Sequence, residues 1–215
     1  LQDWSVDLVV DIGCGSLAWV PELLADAEDR GLRPRYCGAD IARPLVEAHK
    51  ASWRAHPRAE SMRFVAADAA DPDGWSEVMA ACGLGTGEIR GTEGRRPPTT
   101  LVLCRDVLQH MSFSEVRRAL RHFSALARGG AAGRALALLS SHPGTTSNVD
   151  LPAEAEHPLL LPRRASTGAG TGVSPPGPPH NLRLPPFSLP APLQVLEEET
   201  TGKVMLLYGV GDLQL

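Results

Sequence analysis

The sequence predicts an α/β fold, a doubly wound, mostly parallel sheet closed by an antiparallel C-terminal β-hairpin. Three observations predict it. Short apolar runs alternate with helix-period segments from Leu8 to Leu139, the pattern of βαβ units. Aspartates stand at the ends of the first three of those runs, at Asp11, Asp40 and Asp68. Near the C-terminus two apolar runs, Leu193–Leu196 and Val204–Tyr208, flank a turn-like stretch from Glu197 to Gly202, which reads as a hairpin on the sheet edge.

Each element follows from local chemistry. Leu8-Val9-Val10-Asp11-Ile12 is a buried-strand run that stops at Gly13. The next helix spans Pro21 to Arg30, with Pro21 at its first position, Glu22 in its first turn and Gly31 as its stop. Arg35 to Ala39 forms the second strand and Pro44 to Ala55 a helix. Met62 to Ala66 forms the third strand, Gly74 to Ala81 a short helix and Thr100 to Cys104 the fourth strand. Ser112 and Glu115 make a capping-box pair. They open a helix whose apolar face is Val116, Ala119, Leu120, Phe123, Leu126 and Ala127, ended by Gly129-Gly130. Ala135 to Leu139 is the fifth strand.

The 215 residues read as one domain, 1–215, with flexible insertions at 83–98 and 152–179 that are rich in glycine and proline. At 43% hydrophobic and 21% charged residues, a disordered chain is excluded. No run approaches the ~18 apolar residues of a membrane span. A net charge of -4 argues against a strongly basic nucleic-acid footprint. No obligate protein partner is evident. Cys14, Cys37, Cys82 and Cys104 form no CxxC pair, which argues against a zinc knuckle, and no metal site is expected. Three of them lie in or beside apolar runs and read as buried thiols of a reducing, cytoplasmic compartment, with disulfide pairing as the alternative. The chain begins at Leu1 rather than Met and so reads as a fragment.

The chemistry concentrates at strand ends. Asp11-Ile-Gly-Cys-Gly-Ser-Leu-Ala18 fits a loose GxGxxA pattern, which by itself serves many ligands. Asp11 stands before the glycines, and the helix starts well beyond Gly15. A pyrophosphate wants a helix N-terminus at the glycines and no acid beside it. In an open parallel sheet the carboxyl ends of the strands face one crevice, so Asp11, Asp40 and Asp68 should converge there. Asp40 can accept from both hydroxyls of a ribose, and Asp68 from an exocyclic amine.

Together these residues resemble the class I S-adenosylmethionine-dependent methyltransferases, which have a Rossmann-like fold. The motifs are Val10-Asp-Ile-Gly-Cys-Gly15, Gly38-Ala-Asp-Ile41, Ala67-Asp68 and Leu103-Cys-Arg-Asp-Val-Leu-Gln-His110. The chain is most similar to a group of small bacterial and algal members. These carry Cys-Arg-Asp-Val-Leu-x-His after the fourth strand, Asn-x-Asp after the fifth (Asn148-Val149-Asp150) and a later Asn-Leu…Pro-Pro-Phe element (Asn181-Leu182, Pro185-Pro186-Phe187). It departs from them in having Ser16 where many relatives have an acid, and in the insertion that splits the last two elements.

The resemblance implies S-adenosyl-L-methionine as cofactor and methyl transfer to an unidentified small polar or glycan acceptor. It implies cofactor contacts at Asp11, Gly13, Cys14, Gly15, Asp40, Ile41, Asp68, Ala69, Cys104 and Arg105. Asp106 and His110 are the catalytic candidates. Their i,i+4 spacing would place them on one face of a helix, with His110 as general base or orienting group. The alternative is a packing histidine bonded to Asp106. His142 and Asp150 are secondary candidates, and Arg105 is either an anion ligand or a surface arginine. Two other functions fit parts of the sequence: an NAD-dependent oxidoreductase, through GxGxxA and Asp40, and a non-catalytic interaction module.

Overall fold

The computed structural model describes residues 5–84, 98–127, 133–151, 179–198 and 201–213. Nearly all of the two predicted insertions, 83–98 and 152–179, and the Gly129-Gly130 stop lie outside these residues.

The elements run in the predicted order. They are β1 (Leu8–Ile12), α1 (Val20–Asp29), β2 (Arg35–Asp40), α2 (Arg43–Trp53), β3 (Met62–Ala66), α3 (Pro72–Cys82), β4 (Thr99–Cys104), α4 (Phe113–Ala125), β5 (Arg134–Ser141), β6 (Gln194–Glu197) and β7 (Val204–Gly209). The described strands form one sheet in the order β3-β2-β1-β4-β5-β7-β6. The pairs among β1 to β5 are parallel. β7 runs antiparallel to both of its neighbours, β5 and β6. The hairpin is therefore present, but its second strand sits between β5 and β6 rather than at the edge. Physical sense supports this: β7 is largely buried whereas every residue of β6 is exposed.

The chain winds outward from β1 through β2 and β3, then restarts at β4 on the other side of β1. The reversal between β1 and β4 is the topological switch point, where open α/β sheets bind ligands.

Alternation along the strands divides the core into two layers. Leu8, Val10 and Ile12 point to one face and pack with Trp75 and Val78 of α3 and Val116, Leu120 and Phe123 of α4. Val9 points to the other face, with Val20 and Leu24 of α1 and Val46 of α2. Helices thus cover both faces, which is why β1 and β4 read as unbroken apolar runs.

The capping box of α4 is formed: Ser112 Oγ accepts from the Glu115 amide, and Glu115 Oε2 accepts from the Ser112 amide. Asp150 Oδ1 takes the adjacent Phe113 amide at 2.7 Å. That gives Asp150 a structural task at a helix start, where anions are favoured. The elements split by the 152–179 insertion also meet. Asn148 Nδ2 donates to the Asn181 and Pro185 carbonyls, both at 2.9 Å, and its Oδ1 accepts from the Asn181 amide at 2.7 Å.

The cysteine expectation requires correction. Cys37 of β2 and Cys82 at the end of α3 form a disulfide, with Cα atoms 5.6 Å apart, while Cys14 and Cys104 are free and buried. Sequence spacing carries no pairing information for residues brought together by tertiary packing. Two of the chain's four thiols are consumed by this bond. Among the described residues no helix is long and apolar enough to cross a membrane.

Candidate functional site

At the switch point lies a cleft of about 230 Å³, just below the ~300–1,000 Å³ of most small-molecule sites. Its wall comes from four strand ends: Ile12 and Gly13 after β1, Ala39 to Ile41 after β2, Ala67 to Ala69 after β3, and Asp106, Val107, His110 and Met111 after β4.

The loop after β1 crosses the end of β2. The Gly13 and Cys14 amides both donate to the Ala39 carbonyl, at 2.8 and 3.1 Å. Gly13 has φ +71, and a Cβ built on it would lie 2.2 Å from Cγ2 of Val107. Only glycine lets the β1 and β4 loops touch at the floor of the cleft.

Asp40 is half-buried and holds the neighbouring backbone. Its Oδ2 accepts from the Gly15 amide at 3.1 Å and its Oδ1 from the Ala42 amide at 2.9 Å. Each carboxylate oxygen retains a second acceptor direction. Asp68 forms a local turn, with Oδ1 accepting from the Ala70 amide at 2.8 Å. Helix α4 fastens that loop from behind: His122 Nδ1 donates to the Ala69 carbonyl, and Arg118 Nε to the Ala70 carbonyl.

The segment after β4 differs from expectation. Asp106 has φ +60, and only a single 3-10 turn, Leu108–His110, follows it. No α-helix joins Asp106 to His110, so helical i,i+4 spacing does not relate them; both line the cleft for a different reason. The left-handed backbone turns the chain sharply off the strand, and the Ser140 hydroxyl accepts the Asp106 amide at 2.9 Å to hold it there. Lys203, just before β7, binds Asp106 at 2.8 Å. That ion pair engages both oxygens of the Asp106 carboxylate.

Of the predicted site residues, Gly13, Asp40, Ile41, Asp68, Ala69, Asp106 and His110 line the cleft. Asp11, Cys14, Gly15, Cys104 and Arg105 do not. Arg105 turns outward and pairs with Glu198 at 2.9 Å. Burial pushes the Cys14 thiol up to about 12 and the Cys104 thiol higher still, so neither is a thiolate near neutral pH. His142 Nε2 donates to Gln109 Oε1 at 2.7 Å.

Asp11 is 2% exposed and lies behind the cleft, where its carboxylate accepts from the Tyr36 hydroxyl. Burial raises its pKa from 3.8 to about 6, with the Tyr36 hydrogen bond opposing the shift and the Asp40 charge adding to it. A carboxyl raised on folding is stabilising while protonated, and that contribution is lost as pH rises through the folded value. Stability is expected to fall by roughly 2 kcal/mol between pH 4 and pH 7 from this group. Urea denaturation across that range checks it, with Asp11→Asn expected to remove this fall.

Sequence reasoning missed the apolar lining of Ile12, Ala39, Ala67, Val107 and Met111, although Ile12, Ala39 and Ala67 lie at strand ends already assigned. It also missed His49 of α2 and Lys203 just before β7, which hold the Gly15 carbonyl and the Asp106 carboxylate from outside the cleft lining. Nothing local marks a residue whose task arises from tertiary packing. Among the described residues no group of three His, Cys, Asp or Glu side chains is placed to hold a metal.

No family model matches the chain, and no curated protein matches it. Among solved structures it is similar to the citrinin polyketide synthase CMeT domain (13% identity over 64% of this chain and 29% of that one, TM-score 0.41). It is also similar to the CurJ carbon methyltransferase (14%, 65% and 30%, TM-score 0.41). A third is the mycolic acid cyclopropane synthase CmaA1 complexed with SAH and CTAB (14%, 63% and 36%, TM-score 0.38). The chain spans about a third of the length of these proteins.

Proposed function

We propose that the cleft binds S-adenosyl-L-methionine and that the protein transfers its methyl group to an acceptor. The observation that carries this reading is the charge of the cleft wall. Asp40, Asp68 and Asp106 line it, and among the described residues no lysine or arginine does. Lys203 neutralises Asp106 from outside the lining, which leaves Asp40 and Asp68 to favour a cationic ligand. A nicotinamide dinucleotide would place a pyrophosphate by the glycine loop. There α1 starts only at Val20, too far from Gly15 to offer its N-terminus.

The residues present fit the cofactor. Asp40 accepts from the ribose hydroxyls with its remaining acceptor directions, Asp68 accepts from the adenine amine, and Ile12, Ile41, Val107 and Met111 supply apolar wall. When bound, the cofactor supplies an electrophilic methyl on a sulfonium whose sulfur leaves neutral, so no acid is required. The chain's own task is alignment of two reactants. His110 faces the cleft from the β4 side and takes the proton of a hydroxyl or amine acceptor. A small polar or glycan acceptor suits a chain of net charge -4 with 5% aromatics better than nucleic acid does.

Thermal denaturation with competing ligands tests the assignment. A ligand at 100 times its Kd stabilises by ~2.7 kcal/mol, so S-adenosylmethionine should raise Tm by several degrees and NAD should not. The reverse pattern would favour the oxidoreductase. Once an acceptor is in hand, His110→Ala should lower kcat by about 10²–10⁴-fold, with the deficit narrowing at high pH. An unchanged kcat removes His110 from the base role.

A further inference from the structure

Gly15 does not line the cleft, yet its peptide unit is gripped from two sides. Its amide donates to Asp40 Oδ2 at 3.1 Å. Its carbonyl lies 2.7 Å from Nε2 of His49 on α2. A carbonyl oxygen only accepts, so His49 is the donor and carries its proton on Nε2. His49 is 8% exposed and packs its ring 5.5 Å from that of Phe64. A buried imidazole with a short bond to one loop carbonyl is more than filler, because an apolar residue would fill the same space without the cost of burying polar nitrogens.

The loop it grips is conformationally expensive. Gly13, Gly15 and Leu17 all have φ between +54 and +71, and left-handed backbone is costly for a residue with a side chain such as Leu17. Such a loop keeps one shape only where surrounding groups hold it. Asp40 holds the amide side, but Asp40 is also the proposed ribose acceptor, so removing it tests two roles at once. His49 touches the loop and not the cleft lining, and separates them.

We infer that His49 is a positioning residue, whose Nε2–H fixes the Gly13–Leu17 loop and thereby sets the affinity of the cleft for its ligand. The affinity arm rests on the cofactor reading above; the loop arm does not.

Three substitutions decide it. Gln places an amide N–H near the position of Nε2, Asn places one near Nδ1, and Leu places none. Amide hydrogen exchange in the ligand-free protein reports the Gly13–Leu17 loop, and calorimetry reports the Kd for S-adenosylmethionine. H49L and H49N should speed loop exchange and raise Kd about tenfold, the cost of one buried hydrogen bond, while H49Q restores both. If H49L does not fold, the comparison of H49N with H49Q decides alone, because the two match in polarity. Loop exchange in H49L as slow as in H49Q, or equal exchange in H49N and H49Q, would overturn the inference, since a role in packing alone needs side-chain volume and no N–H. Wild-type protein that fails to bind S-adenosylmethionine would remove the cofactor reading and leave the exchange comparison to decide the role of His49.

Discussion

Replacing Gly13 with alanine is expected to destabilise the protein by roughly 2–5 kcal/mol. Two costs add. A non-glycine residue held at φ +71 costs of order 1–2 kcal/mol. A Cβ placed 2.2 Å from Val107 Cγ2 cannot be accommodated without moving the β4 loop, and overpacking of this kind costs about 1–3 kcal/mol. Urea denaturation measures the sum. The double variant Gly13→Ala/Val107→Ala should recover part of the loss, because it removes the collision and leaves the strain. A Gly13→Ala protein as stable as wild type would mean that the β1 and β4 loops do not meet as described.

Asp40→Ala is expected to weaken S-adenosylmethionine binding by at least about 100-fold, since two or more hydrogen bonds to a charged acceptor are lost at ~1.5–3 kcal/mol each. Part of the effect is indirect, through the freed Gly15 and Ala42 amides. Asp40→Asn keeps one acceptor oxygen and should fall between the two. Calorimetry on all three proteins checks the order. An alanine variant that binds like wild type would remove Asp40 from the site.

The doubly wound layout was readable because each layer has its own period. Val9 and Val10 alternate between the two faces, while α4 repeats its apolar residues at helical spacing beneath a capping box. The convergence of Asp40 and Asp68 on one cleft followed from a topological rule, since parallel strands end on one side. Asp11 broke that expectation by alternation alone. One residue before the strand's end, its side chain points to the α1–α2 face, where Tyr36 meets it, and not into the cleft.

What escaped the sequence depends on distant partners. Nothing near Asp106 announces Lys203, 97 residues later, or the left-handed turn that replaces a helix. Nothing near Cys37 announces Cys82. The hairpin was recognisable, but the insertion of β7 between β5 and β6 is a matter of burial. The outer strand can bear exposed Val195 and Leu196, whereas the inner one must be apolar on both faces.

Titration of the purified chain with S-adenosylmethionine by calorimetry tests the central claim most directly. A single site of micromolar Kd, lost in Asp40→Ala, is the predicted result. Folded wild-type protein that gives no heat with S-adenosylmethionine and binds NAD instead would contradict it.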